Sequence, residues 1–329
     1  MFVPTTYFGA LALMLLSMVC WGSWANTLKL CPKFRFQLFY WDYAIGLALG
    51  AVALGLTAGS AGEAGQPFLA AIRHTSASAM IWAACGGAIF NVANLLLVAA
   101  IEVAGLAVAF PIGIGLALVV GAVSSYFVSP AGNPLLLFGG VALVALAIVM
   151  DAAAYRKREA DARAMTTRGI VLSLVAGLLM GSFYPLVAHA MTTKPECGPY
   201  AIAFFFAIGV LISTVPANLL LMARPLDGKP PVNGSDYWKA STGWHLAGVL
   251  GGAIWCVGAV SNFVASVAHL IGPAVSYSIG QGATMVSACW GVFVWREFTG
   301  APRTAHLLLV FMFVLFIAGL GAVALAPLF

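Results

Sequence analysis

Gly86-Gly87-Ala88-Ile89 and Ile112-Gly113-Ile114-Gly115 recur along the chain as Gly251-Gly252-Ala253-Ile254 and Ile279-Gly280-Gln281-Gly282, at offsets of 165 and 167 residues. A weaker match pairs Trp21-Gly22-Ser23-Trp24 with Met180-Gly181-Ser182-Phe183, at an offset of 159. Three matches in the same order mark an internal duplication. Ten apolar runs cover residues 6–28, 36–60, 79–103, 105–128, 133–154, 169–191, 199–223, 244–269, 271–295 and 304–327, each near the roughly 20 residues that a helix needs to cross the hydrocarbon layer. Five fall in each copy. An odd number of crossings turns the second copy upside down relative to the first, which is the plan of alternating-access carriers. The expected fold is an all-α membrane protein of ten transmembrane helices. Residues 1–154 form the first five-helix repeat and 169–329 the second, inverted one, joined by a basic cytoplasmic linker at 155–168.

Composition agrees. Of 329 residues, 62% are hydrophobic and 8% charged, more apolar surface than a soluble fold can bury. The net charge of +5 reflects orientation. Lys29, Lys33, Arg35, Arg156, Lys157, Arg158, Arg163, Arg168, Arg224, Lys229, Lys239, Arg296 and Arg303 all fall in loops on one side, and Arg73 and Lys194 on the other. Basic loops stay cytoplasmic, so the odd-numbered loops are expected inside and both termini outside, in the cell (inner) membrane, with no role in nucleic-acid binding. The first run lacks a basic leader and is read as a retained span. The six cysteines show no metal or disulfide spacing. No nucleophile, acid and base set suggests an enzyme, and no cofactor or metal is expected.

Polar groups inside hydrocarbon are costly and tend to face a bundle interior or a wet cavity. Span three carries Asn91 and Asn94, with Glu102 three turns on. Span eight carries Trp255, Asn262, Ser266 and His269, and span nine places Tyr277, Gln281 and Thr284 on one face. These rows belong to duplicated segments, so they are expected to meet across the pseudo-symmetry axis, where such carriers bind solute. Interhelical hydrogen bonding is the other use open to them. Trp21 and Trp24 offer flat faces for a ring. Asp42, in Tyr40-Trp41-Asp42-Tyr43, lies a few residues inside the basic end of span two. Removal from water favours the protonated form of a carboxylate, so Asp42 is the candidate for proton coupling and Glu102 its rival. A fixed pair with Lys29, Lys33 or Arg35 is the alternative for Asp42. Pro111 and Pro273 are expected flex points in spans four and nine.

The run Gly272-Pro273-Ala274-Val275-Ser276-Tyr277-Ser278-Ile279-Gly280-Gln281-Gly282-Ala283-Thr284-Met285 continues through Trp290-Gly291-Val292-Phe293-Val294-Trp295-Arg296-Glu297-Phe298. With Tyr40-Trp41-Asp42-Tyr43 and Gly181-Ser182-Phe183-Tyr184-Pro185, it resembles the drug/metabolite transporter superfamily, and within it the ureide permease branch related to glucose/ribose and rhamnose porters. That resemblance spans essentially the whole chain. It implies a ten-helix inverted-repeat bundle that moves small polar metabolites, often with a proton: ureides and nucleobases in one branch, monosaccharides in the others. Plant ureide permeases carry a Gly-rich, nucleotide-binding-like segment in the central loop. Residues 155–168 lack a Gly-Lys-Ser/Thr pattern, so ATP binding is not expected.

The function expected from these readings is secondary active, proton-coupled uptake of a small polar solute of ureide or nucleobase type, for which a monomer suffices. A monosaccharide:proton symporter is the main alternative. Drug efflux would call for an aromatic site without paired amides, and a non-turning scaffold would have no use for polar groups in mid-span.

Overall fold

A computed structural model of the protein describes residues 1–158, 166–194, 197–226, 228–268 and 271–329. Half of the expected linker (159–165), with Arg163, and also His269, lie outside the described residues. All regular structure described is helical, as lipid demands of a chain that must satisfy its own backbone. In chain order the helices are α1 (Tyr7–Ser23), α2 (Asn26–Lys29), α3 (Phe36–Leu56), α4 (Phe68–His74), α5 (Ala77–Ala104), α6 (Leu106–Val128) and α7 (Pro134–Arg158). They continue as α8 (Thr167–Thr192), α9 (Pro199–Ala223), α10 (Ser235–Trp238), α11 (Thr242–Ser266), α12 (Pro273–Gly280), α13 (Ala283–Cys289) and α14 (Arg303–Leu325). Among the described residues, nine helices are long and apolar enough to cross a membrane.

The stretch expected as a ninth continuous span, 271–295, is instead broken into α12, α13 and a π-turn at Trp290–Val294. The break falls at Gln281–Gly282, next to two glycines that sit against α1. A Cβ on Gly280 would lie 2.6 Å from the Trp21 ring, and one on Gly282 would lie 2.5 Å from Met18 Sδ. Pro273 is likewise at the first position of α12, where a missing N–H costs little, rather than inside a helix. Pro111 does lie within α6. One residue, Gly105, joins α5 to α6, with φ 79° and ψ 160°, and Gly272 leads into α12 with nearly the same angles, φ 74° and ψ 162°. Side chains are strained in that region of backbone space and glycine is not.

Helix contacts come in matched pairs. α5 packs on α8 and α9, and α11 on α1 and α3; α6 packs on α8, and α13 on α1. The closest approaches match residue by residue. A Cβ on Gly87 would stand 2.0 Å from the Phe206 carbonyl oxygen, and one on Gly252 would stand 1.9 Å from that of Tyr43. Gly46 and Gly209 would meet the Val249 and Ala84 oxygens, each at 2.0 Å. Lipid supplies no hydrophobic drive between helices, so backbone approach at small residues carries the packing.

The bundle has two ends. At one, Phe2 N donates to the Ala58 carbonyl (2.8 Å), Tyr200 Oη donates to the Phe2 carbonyl (3.1 Å) and Asn133 N to that of Ala326 (2.7 Å). At the other, the basic end, Glu297 pairs with Lys29 (2.7 Å) and Arg158 (3.3 Å) and accepts from Tyr155 Oη (2.9 Å). Burial raises the Glu297 carboxyl, but the hydrogen bonds from Lys29 and Tyr155 and the charges of Lys29 and Arg158 outweigh it and hold the group below the usual carboxylate range.

Gly87→Ala and Gly252→Ala should each destabilise the detergent-solubilised protein by about 1–3 kcal/mol, the cost of overpacking a rigid contact. Gly139→Ala, with nothing within 4 Å of its added methyl, should be neutral or slightly stabilising because alanine is the better helix former. Thermal unfolding of the three variants side by side checks the ranking.

Candidate functional site

α1 stops at Ser23 because its last carbonyls are taken by side chains. Asn26 Nδ2 donates to Ser23 O (3.0 Å) and Thr27 Oγ1 to Trp24 O (2.8 Å). Trp24 lies against Tyr43, centroids 4.8 Å apart, while Trp21 stacks on Trp255 at 5.8 Å. Trp255 stacks in turn on Phe90 at 4.1 Å and Phe206 at 5.8 Å. Trp21 comes this close to α11 because Gly258 gives way; a Cβ there would be 2.7 Å from the indole.

These rings wall a cavity of about 230 Å3 that reaches from mid-bundle toward the basic end. Trp21, Trp24, Phe90, Phe183 and Trp255 supply apolar faces, and Asn94, Gln281, Thr284 and Ser287 the polar groups. No charged residue lines it. Asn94 donates one N–H to Tyr40 Oη (3.2 Å). The Gln281 amide is only 9% exposed, sits in the wall and enters none of the hydrogen bonds among the described residues. A buried amide without a partner costs free energy unless something in the cavity satisfies it.

Six of the nine solute-contact residues expected from sequence thus line one cavity: Trp21, Trp24, Asn94, Trp255, Gln281 and Thr284. Asn91, Asn262 and Tyr277 do not. Asn91 accepts from Tyr40 Oη (2.9 Å) and Thr214 Oγ1 (3.2 Å) and donates to Ser213 Oγ (2.9 Å), tying α5 to α3 and α9. Asn262 is held by α1, α8 and α12, and Tyr277 Oη donates to the Ala117 carbonyl of α6 (3.1 Å).

Asp42, 3% exposed, stands between α3 and α11, off the cavity. Its partners are neither Lys29, Lys33 nor Arg35. Tyr237 Oη donates to Oδ1 (2.6 Å), and His245 Nδ1 lies 2.7 Å from Oδ2. The other ring nitrogen, Nε2, lies 3.1 Å from the Tyr237 carbonyl. Both imidazole nitrogens therefore face oxygen acceptors. Tyr237, in the α10 loop, is pushed above the usual phenol range by burial, then by its hydrogen bond to Asp42 and the charge of that carboxylate. Glu102 is at the basic end, 3.8 Å from Lys229 and beside Thr166 and Arg168. His245 escaped the sequence reading. Its signal was a titratable residue in the first turn of span eight, at the same end as Asp42 in span two.

A family model described as sugar transport protein matches residues 12–326. The chain belongs to that family. Its curated relatives include ureide permease 1 and ureide permease 2 of Arabidopsis thaliana, each 23% identical over 95% of this chain and over 95% and 96% of theirs. Ureide permease 4 of the same plant is also 23% identical, over 98% of both chains. A solved crystal structure matches 95% of both chains with a TM-score of 0.65 at 14% identity, a likeness of fold. The protein is a multi-pass membrane transporter of small solutes.

For a transporter, the cavity is well matched in size and chemistry. Its volume is below the roughly 300–1,000 Å3 of drug-sized pockets, and flat rings with a few amides suit a small, uncharged, polar molecule. Water access can be read directly. With the exposed Cys85 and half-buried Cys289 replaced, Ser287→Cys in the cavity wall should react with a water-soluble maleimide applied at the basic end. Ser278→Cys, at a position 1% exposed, should stay unlabelled.

Proposed function

We propose that the protein is a proton-coupled uptake carrier for a small polar metabolite of ureide or nucleobase type. Ten crossings would be arranged as two inverted repeats, 1–154 and 169–329, with the broken α12–α13 segment as the ninth, both termini extracytoplasmic and the basic end in the cytoplasm of the cell membrane. The matched glycine contacts of the two copies and the basic loops support this arrangement.

The observation that carries the solute assignment is the unpartnered Gln281 amide facing an aromatic cavity without charged groups. A planar solute would lie against Trp21, Trp24 or Trp255, with its amide edges paired to Gln281 and Asn94, each both donor and acceptor, and Thr284 at the margin. Asn91, Asn262 and Tyr277 would hold the surrounding helices in register. Asp42 with His245 would carry the proton and Glu102 would serve orientation at the basic end. Tryptophan faces and amides also suit a monosaccharide, and the family model's description, sugar transport protein, favours that second reading.

Proteoliposomes with an inward proton gradient decide between them. Allantoin or uracil should accumulate and be chased by the unlabelled compound, and accumulation of a hexose or pentose alone would replace the first reading by the second. Gln281→Ala and Asn94→Ala should each weaken apparent affinity by about threefold to tenfold, the worth of one hydrogen bond.

Asp42→Asn and His245→Gln should abolish gradient-driven accumulation while leaving solute exchange across the membrane. Accumulation that survives both substitutions at full extent would remove the proton assignment.

A further inference from the structure

A second cavity, of about 320 Å3, lies at the end opposite the basic one and is walled in part by Ser129, Ala188, Thr192, Ser266 and Pro273. Three helices lead from the aromatic cavity to it, each along one face. On α8 the four-residue steps run from Met180 through Tyr184 to Ala188. On α11 a seven-residue step from Trp255 to Asn262 is followed by a four-residue step to Ser266, and from Gln281, just past the end of α12, four-residue steps run back through Tyr277 to Pro273. Residues at such spacings share a helix face. The middle member of each series is fully buried, so Tyr184, Asn262 and Tyr277 form a layer of buried side chains between the two cavities.

That layer is hydrogen-bonded across four helices. Asn262 Nδ2 donates to Ser17 Oγ of α1 (3.1 Å) and to the Ser276 carbonyl of α12 (2.9 Å), and Asn262 Oδ1 accepts from Tyr184 Oη of α8 (2.5 Å). Ser276 Oγ returns a bond to the Asn262 carbonyl (2.8 Å).

The duplication gives each of these residues a counterpart in the other copy. At the offsets 159, 165 and 167 fixed by the repeated motifs, Ser17 pairs with Ala176, Tyr184 with Ala25, Asn262 with Leu97, Ser276 with Ala109 and Tyr277 with Phe110. No counterpart has a side chain able to hydrogen-bond. Ala25, Leu97 and Phe110 line the aromatic cavity, on its side toward the basic end. One half of the duplicated machinery is therefore closed by a polar network, and the equivalent half is lined by apolar groups and open.

We infer that Ser17, Tyr184, Asn262 and Ser276 form the outer gate of the solute path, with the second cavity as the vestibule above it. Because the apolar counterpart layer has no such bonds to form, the gate biases the empty carrier toward the conformer whose solute cavity faces the basic end. The inference rests on the alternating-access reading above. It adds which residues separate in the outward-facing state and why the resting populations are unequal.

Side-specific labelling of Ser287→Cys in proteoliposomes, with Cys85 and Cys289 replaced, tests it. An impermeant maleimide is applied to one face or the other, in the parent and in Tyr184→Phe and Asn262→Leu, the latter copying the counterpart residue. The ratio of labelling from the vestibule face to labelling from the basic face should rise by about threefold in Tyr184→Phe and about tenfold in Asn262→Leu, as expected from losing one or several interhelical hydrogen bonds. An unchanged ratio in both overturns the gate, and so does an equal rise from both faces, the mark of a loosened bundle. Tyr184→Phe deletes a single hydroxyl and keeps the test decisive should Asn262→Leu fail to fold. Labelling needs neither solute nor gradient, so a wrong solute or proton assignment leaves this readout standing.

Discussion

In hydrocarbon a polar side chain must be paired inside the protein or face water, because the lipid offers it nothing. That requirement sets Asn91 and Asn262 apart from Gln281. Asn91 and Asn262 are fully buried and hydrogen-bonded through both the oxygen and the nitrogen of the amide, each reaching helices that are distant in sequence. They act as fasteners. Gln281 is nearly as buried, has no partner among the described residues and lies in a cavity wall. It retains hydrogen-bonding capacity that only a solute or water can use.

The same requirement explains why glycine sets the geometry. Helices that gain little from burying apolar surface against each other gain instead from close backbone contact and dispersion. Gly46, Gly87, Gly209 and Gly252 allow approaches that any methyl group would block, and they do so in equivalent places in the two copies. Those four contacts fix α3 against α11 and α5 against α9. The aromatic walls then follow, since Phe90, Phe206 and Trp255 are carried on the helices so fixed.

The membrane-length helices were legible in the sequence, because hydropathy is a local property. The polar rows were legible as rows, since helical periodicity places Tyr277, Gln281 and Thr284 on one face. Which member of a row meets a cavity was not. Tyr277 and Gln281 share a face one turn apart, yet one meets the Ala117 carbonyl and the other an open space, and the deciding group is on α6. For the same reason the partner of Asp42 could not be read: Lys29, Lys33 and Arg35 are near in sequence, while His245 is brought in by the Gly248 contact, where a Cβ would stand 2.5 Å from Asp42 Cβ. The break in the ninth span depends on Trp21 and Met18, which occupy the space beside Gly280 and Gly282.

The absence of charge from the described cavity lining constrains the proposed coupling. An ionised solute would have to leave water for a low-dielectric site with no counter-charge among the described lining residues, at a cost of several kcal/mol, which is why the proposed solute is neutral. A proton carried with a neutral solute moves net charge, and the membrane potential then contributes about 2.3 kcal/mol per 100 mV to accumulation. The Asp42–His245 pair is off the cavity, so it cannot sense the solute by contact. Both sites nevertheless bear on α11: His245 lies in its first turns and Trp255 farther along the same rigid helix. In the proposed carrier, occupancy of the aromatic wall and protonation at the α3 interface would both bias a movement of that helix, which is the physical content that coupling between separate sites requires.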